Sequence, residues 1–469
     1  MLCCVQFMLV LDDNVVSVAL PSVRDDLGFG TAGLAWVVNA YFLAFGGLLL
    51  LFGRAADLLG RRRVFWCGVL LFGAASTVCG LAQEPWHLVA GRFVQGAGAA
   101  MASPAALSLI TLLFPAPAER ARALGVWGGI AALGGTSGLL ISGALTGLAS
   151  WRWIFLINVP VAVAAAVLLP RLVAESRATR TARLDVPGAL LGTGAVCCLV
   201  HGVLRAGATG WGDPVAGAGL LLALVLAAVF VMVERQRSEP LVPLPFIASR
   251  TRAGANGLTL LFSAAFYAMA FLLMIQLQTE LGYGPLRAGV AYLPYCAGIL
   301  VGMWLSSRAV ARLGTRATLF VAFPVSAAGL LLLSGVSADD AYASGVLPGM
   351  LVTSLGCGLS LPTLTVAALD GTTEEDAGLG SAVLSTVQQV GGALGVASLV
   401  ALAAHHGSAT AGFSAALTVA AVLLTLAAVL GVPLLARRPV DATRDTRHPL
   451  PADPHTPISG GMSGDAGDR

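Results

Sequence analysis

Gly53 to Phe65 reads GRAADLLGRRRVF, four arginines and one acid set among glycines, with a long apolar run on either side. Each run is long enough to cross the hydrocarbon core of a bilayer, which takes about 20 residues of helix. The stretch therefore reads as a tight, charged turn between two membrane spans. Gly60 supplies the backbone freedom that a sharp reversal needs, and Gly53 lets another helix come close.

The rest of the chain agrees with that reading. Of 469 residues, 57% are hydrophobic and 11% charged, and the mean hydropathy is +0.85, whereas a soluble domain carries about a quarter charged residues. Fourteen apolar runs of spanning length follow one another between Met1 and about Ala436. The first lacks the basic start and A-x-A site of a signal peptide and holds two acids, so it reads as a span, and its short leading side points to a start codon upstream. Residues 437–469 are rich in Pro, Gly and charge, a composition expected to stay disordered.

The net charge is +3 and every basic side chain is an arginine. The arginines sit in separate short loops, not along one stripe, which excludes a nucleic-acid partner. The eight cysteines (Cys3, Cys4, Cys67, Cys79, Cys197, Cys198, Cys296 and Cys357) lie in apolar runs without metal-ligand spacing and read as packing residues. No metal or cofactor is expected. No Walker, HExxH or GxSxG motif occurs, and GAGAA at Gly96 to Ala100 lacks the strand a nucleotide fingerprint requires, so neither ATP-driven transport nor an enzyme is expected.

Cytoplasmic loops retain arginine. The loops after the second, fourth, sixth, eighth and tenth spans hold seventeen arginines and the opposite loops four. Both termini and the Gly53–Phe65 turn are thus expected on the cytoplasmic side. The acidic loop LDGTTEEDAG, Leu369 to Gly378, is discordant in charge, but the rule counts positive residues.

A duplication is written in the loops. LGFGTAGLAWVVNAY, Leu27 to Tyr41, aligns without gaps on LGYGPLRAGVAYLPY, Leu281 to Tyr295, at an offset of 254. At the same offset GRAADLLGRR, Gly53 to Arg62, falls on SRAVARLGTR, Ser307 to Arg316. Duplicated halves are a mark of secondary transporters and predict a central cavity between them. The expected fold is all-α and polytopic. It comprises an N-terminal six-helix bundle over 1–174, an inserted pair of helices over 175–253, a C-terminal six-helix bundle over 254–436, and the tail.

In this setting Gly53, Asp57, Gly60, Arg61 and Arg62 resemble motif A of the major facilitator superfamily, GxLaDrxGrkxxl. Three further elements extend the resemblance over nearly the whole chain to about Ala436. LDDNVVSVALP, Leu11 to Pro21, is similar to the LDxTVVNVALP element of the fourteen-helix drug/proton antiporter branch. LVAGRFVQGAGAA, Leu88 to Ala100, matches motif B at every specified position, and SWRWIFLINVP, Ser150 to Pro160, resembles the same branch. In the fifth span Gly134, Gly138 and Gly143 fit the antiporter motif GxxxGPxxGG, while Leu139 and Ser142 replace its proline and a glycine.

The resemblance implies a proton-coupled exporter of small organic compounds, lipophilic or cationic, in the plasma membrane, monomeric and driven by the proton gradient. Two alternatives are a dedicated exporter of one endogenous metabolite and, from another class, a membrane sensor on a transporter scaffold. It implies that Asp57 holds a gate by bonding a helix end or an arginine, against the plainer reading that Asp57 offsets one arginine. It also implies that Asp12 is the membrane acid that binds and releases a proton, with Arg92 alternately close and withdrawn. The plainer alternative is a permanent Asp12–Arg92 pair that fixes packing. Neighbouring helical residues point about 100° apart, so only one of Asp12 and Asp13 can face a cavity. Asp12 is the one aligned with the family element. Asn39, Tyr41, Gln95, Tyr292, Tyr295, Gln388 and Gln389 are candidate cavity residues, and His405 and His406 are expected at a solvated helix end.

Overall fold

The computed structural model is helical throughout and describes residues 1–435 apart from 115, 173–174, 176–183, 238–239, 242–245, 247–248, 338–339, 371, 373–376 and 407. The tail 437–469 and most of the acidic loop lie outside the described residues. Among the described residues thirteen helices are long and apolar enough to cross a membrane. The longest, Pro285–Ser334, is two spans in one, because Gly314 within it has φ +79 and parts residues 285–313 from 315–334.

Numbered by span, the helices of the first half are α1 (Leu2–Leu27), α2 (Thr31–Leu59), α3 (Arg61–Gly80), α4 (Pro85–Leu113), α5 (Pro117–Leu148) and α6 (Trp153–Leu156 with Asn158–Leu172). α7 (Val186–Thr209) and α8 (Pro214–Gln236) form the inserted pair. The second half comprises α9 (Arg250–Thr279), α10 (285–313), α11 (315–334), α12 (Val346–Ala368), α13 (Ala377–Ala404) and α14 (Ala409–Leu426).

The duplication reappears as backbone geometry. Gly28 (φ +70) and Gly282 (φ +63) are related by the offset of 254, and so are Gly60 (φ +112) and Gly314 (φ +79). Side chains rarely tolerate this left-handed region, so both copies keep glycine where the chain reverses. α1 outruns its apolar run. It passes Pro21 at the cost of one backbone bond and ends at Gly28, whose N–H returns to Arg24 O at 2.9 Å.

Small residues bring the helices together. A Cβ on Gly98 of α4 would lie 2.7 Å from Phe72 N of α3, and one on Gly302 of α10 would lie 2.5 Å from Leu355 O of α12. Side chains larger than hydrogen at these places would force the backbones apart. α7 packs on α8 and against α2 and α13. α8 presents Leu221, Leu224 and Met232 outward, as a lipid-facing helix does.

The two halves meet through α1 with α9, α2 with α13, and α5 with α10. Between α2 and α13 the Thr386 hydroxyl donates to Gly46 O at 2.9 Å. α5 meets the first turns of α10, residues 285–291, at the end remote from the Gly53–Phe65 turn. There a Cβ on Gly143 would be 2.7 Å from Pro285 O, and one on Gly289 would be 2.7 Å from Leu139 O. Toward the arginine-rich end of α5, Gly125, Gly128 and Gly129 face open space. α5 and α10 thus touch at the end remote from the Gly53–Phe65 turn, while nothing crowds the α5 glycines at its other end.

Candidate functional site

Asp12 is fully buried inside the first half, with both carboxylate oxygens engaged. Arg92 Nη1 of α4 donates to Oδ2 at 2.6 Å. Gln95 Nε2 and Asn158 Nδ2 donate to Oδ1 at 2.8 and 2.7 Å. Arg92 is also buried. Its Nε donates to Val37 O at 3.0 Å, Nη1 donates to Gln95 Oε1 at 2.7 Å, and the guanidinium lies 4.3 Å from the Tyr41 ring centroid. Gln95 Nε2 reaches Ser76 Oγ at 2.8 Å. Five polar residues from α1, α3, α4 and α6 so form one network, the condition under which buried charge is tolerated at membrane depth.

Asp12 and Arg92 are brought into direct contact, a geometry that the coupling and the packing readings share. Gln95 and Tyr41, expected near the cavity, surround that pair instead. Ser76 and Asn158 were not singled out from sequence, although Asn158 is a polar residue within the quoted SWRWIFLINVP element.

A cavity of about 220 Å³ lies between the halves, walled by α1, α2 and α5 on one side and α9, α10 and α12 on the other. Its lining is apolar and aromatic, with Asp13, Asn14 and Ser17 of α1 on one wall. The one-residue rotation along α1 that seals Asp12 in the network turns Asp13 to the cavity. Asp13 Oδ1 is buried without a hydrogen-bond partner. Tyr292 and Tyr295 line the opposite wall, their ring centroids 4.9 Å apart. Leu139, at the position of the antiporter motif's proline, also lines it, while Gly134 and Gly138 bring α5 onto Phe7 O and Leu11 O of α1.

Asn39 is buried with neither side-chain polar atom bonded, and Gln389 packs against Gly46; neither of them, nor Gln388, belongs to the cavity wall. A second cavity of about 250 Å³ lies toward the closed end among α2, α9, α13 and α14, and Phe271 belongs to the walls of both. His406 borders this second cavity, and His405 is exposed. Among the described residues no group of three His, Cys, Asp or Glu is placed to hold a metal ion.

In the Gly53–Phe65 turn, Asp57 accepts from Arg61 Nε at 2.9 Å and lies 2.7 Å from its Nη2. Glu175, just past α6, accepts from Arg62 N–H at 3.1 Å and lies within 3.7 Å of the Arg62 and Arg63 Nε atoms. An acid at the positive N-terminus of α3 is favoured by the helix dipole. Glu175 was legible only as an acid among loop arginines. At the remote end Trp151 Nε1 and Arg152 Nη1 both donate to Asp26 Oδ2, at 3.0 and 2.5 Å, tying the end of α1 to the loop before α6.

Residues 2–396 match the family model described as Major Facilitator Superfamily. The chain is 40% identical to the puromycin resistance protein pur8 of Streptomyces alboniger, covering 92% of this chain and 90% of that one. It is 40% identical to the lincomycin resistance protein of Streptomyces lincolnensis, covering 91% and 88%. A POT family transporter crystallised with a thioalcohol-conjugated peptide shares the fold with a TM-score of 0.69 at 15% identity, over 93% of this chain and 96% of that one.

Proposed function

Because the chain belongs to the Major Facilitator Superfamily, whose members are transporters and not enzymes, we propose that it is a proton-coupled exporter of small organic compounds, lipophilic or cationic, working by alternating access. The observation that carries this reading is the aromatic, carboxylate-bearing cavity between two halves that touch at one end. Rocking the halves about it would expose the cavity to each side in turn. The identity with two antibiotic resistance proteins supports outward transport.

The division of labour follows the sequence. Residues 1–174 and 254–436 are the two rocking bundles, and 175–253 carry the inserted pair. The arginine-rich loops and both termini face the cytoplasm, in the plasma membrane, and one chain suffices. The proton gradient supplies the energy without a cofactor. Asp12 and Arg92 are the coupling pair: a proton on Asp12 removes the charge that holds Arg92, and loosens α1 from α4.

The test is uptake into inverted vesicles with an imposed pH gradient, using a panel of dyes and antibiotics. Accumulation that a protonophore collapses is the expected result. Accumulation indifferent to the pH gradient would overturn the coupling. A second reading, export of one compound made by the same cell, is favoured by the single antibiotic in each relative's name. Accumulation of one compound out of the panel would select it.

Asp57 is the proposed gate acid, held by Arg61 in this state and free to engage the other half when the cytoplasmic side closes. Asp57→Asn is expected to slow turnover about tenfold, the loss of one charge-assisted contact, with membrane insertion unchanged. Unaltered rates would reduce Asp57 to a partner of Arg61.

A further inference from the structure

We infer that Asp13 and the Tyr292–Tyr295 pair are two separate recognition points on opposite walls of the central cavity, Asp13 for a cationic group and the tyrosine hydroxyls for a hydrogen-bond acceptor. The inference rests on the transport reading and assigns what each wall of that site recognises.

Asp13 stands at the unspecified position of the α1 element, next to an acid whose oxygens are already taken by Arg92, Gln95 and Asn158. No side chain bonds its buried Oδ1. Arg92 acts on it through space while bonding Asp12 directly. Among the described residues the cavity lining contains no arginine and no histidine, and its aromatic side chains are Phe42, Phe266, Tyr267 and Phe271 with Tyr292 and Tyr295. Phe42 and Tyr267 meet edge to face at 4.7 Å, and Phe266 and Tyr267 at 5.2 Å, so the walls offer ring faces as well as one negative charge. A carboxylate among aromatic rings suits a cation, which gains from both.

The opposite wall has different chemistry. Tyr292 and Tyr295 are almost wholly buried. Among the described residues neither the Tyr292 nor the Tyr295 hydroxyl has a hydrogen-bond partner. Buried hydroxyls without oxygen or nitrogen partners are costly unless a visitor satisfies them. A carbonyl, ether or phosphoryl oxygen would do so. Compounds carrying a cation and an acceptor on one aromatic frame would use both walls.

Two probes separate the walls. Tetraphenylphosphonium is a permanent cation without an acceptor, and triphenylphosphine oxide is uncharged with a strong acceptor oxygen. Their affinities for the purified full-length protein in nanodiscs are read by calorimetry. Asp13→Asn is expected to weaken tetraphenylphosphonium about tenfold or more and triphenylphosphine oxide less than about twofold. Asp13→Glu restores the cation to within about threefold of wild type. The double variant Tyr292→Phe, Tyr295→Phe reverses the pattern.

Equal losses for both probes in Asp13→Asn, or an unchanged affinity for the cation, would overturn the assignment. So would a wild type that binds neither. Export by the wild type in vesicles, together with any of these outcomes, leaves the transport reading standing and removes only the two-point recognition.

Discussion

Asp12→Asn is expected to abolish pH-driven export and to lower thermal stability together. The substitution keeps the shape of the side chain and an acceptor for Gln95 and Asn158, but it leaves the buried Arg92 guanidinium without its hydrogen-bonded counter-charge. Removing one partner of a buried ion pair costs about 3–5 kcal/mol. Stability alone would not distinguish a coupling acid from a brace, so the companion variant decides. Asp12→Asn with Arg92→Gln removes both charges and should recover most of the melting temperature. Export should not return, because nothing is left at that site to exchange a proton. Recovered pH-driven export in the double variant would make the pair a packing device, and the coupling would have to lie elsewhere.

The second large effect concerns the closed end. Gly143→Val places side-chain carbon where Pro285 O and Leu286 Cα already lie, 2.7 and 2.9 Å from the Cβ position. Both are main-chain atoms, so no side-chain rotation relieves the clash, and overpacking of this kind costs about 1–3 kcal/mol. In a protein that alternates between two states the strain falls on the state with this end shut. A cost of about 1.4 kcal/mol already shifts that equilibrium tenfold.

The expected result is faster labelling of a cysteine at Ser17, in the central cavity, by an impermeant maleimide applied from outside the cell. Export should slow in parallel, since the variant returns poorly to the inward-facing state. Unchanged labelling with normal export would show that α5 and α10 do not part there during transport.

Much of this was legible in the sequence because membrane helices advertise themselves through length and hydropathy, and because a duplicated gene repeats its turns. The offset that aligned Gly53–Arg62 with Ser307–Arg316 also pairs Gly60 with Gly314, both in the left-handed region. The apolar runs part α10 from α11 at Arg308, Arg312 and Arg316, and in the nearly continuous helix the break falls at Gly314. The Asp12–Arg92 contact was legible too, since two isolated charges at membrane depth have few other ways to be satisfied.

What surrounds the cavity was harder to read. Asn39 and Tyr41 belong to α2, which borders the cavity, yet both point away from it, because a motif does not report the rotation of a helix about its axis; Gln95 belongs to α4, which does not reach the cavity at all. Asp13 is on the cavity wall for the same reason: about 100° of helical rotation separates it from Asp12. Glu175 lay beyond reach because loop residues carry no periodicity from which a contact can be inferred.

Phe271 belongs to the walls of both cavities. Removing that shared ring, as in Phe271→Ala, is expected to join the two spaces into one longer chamber.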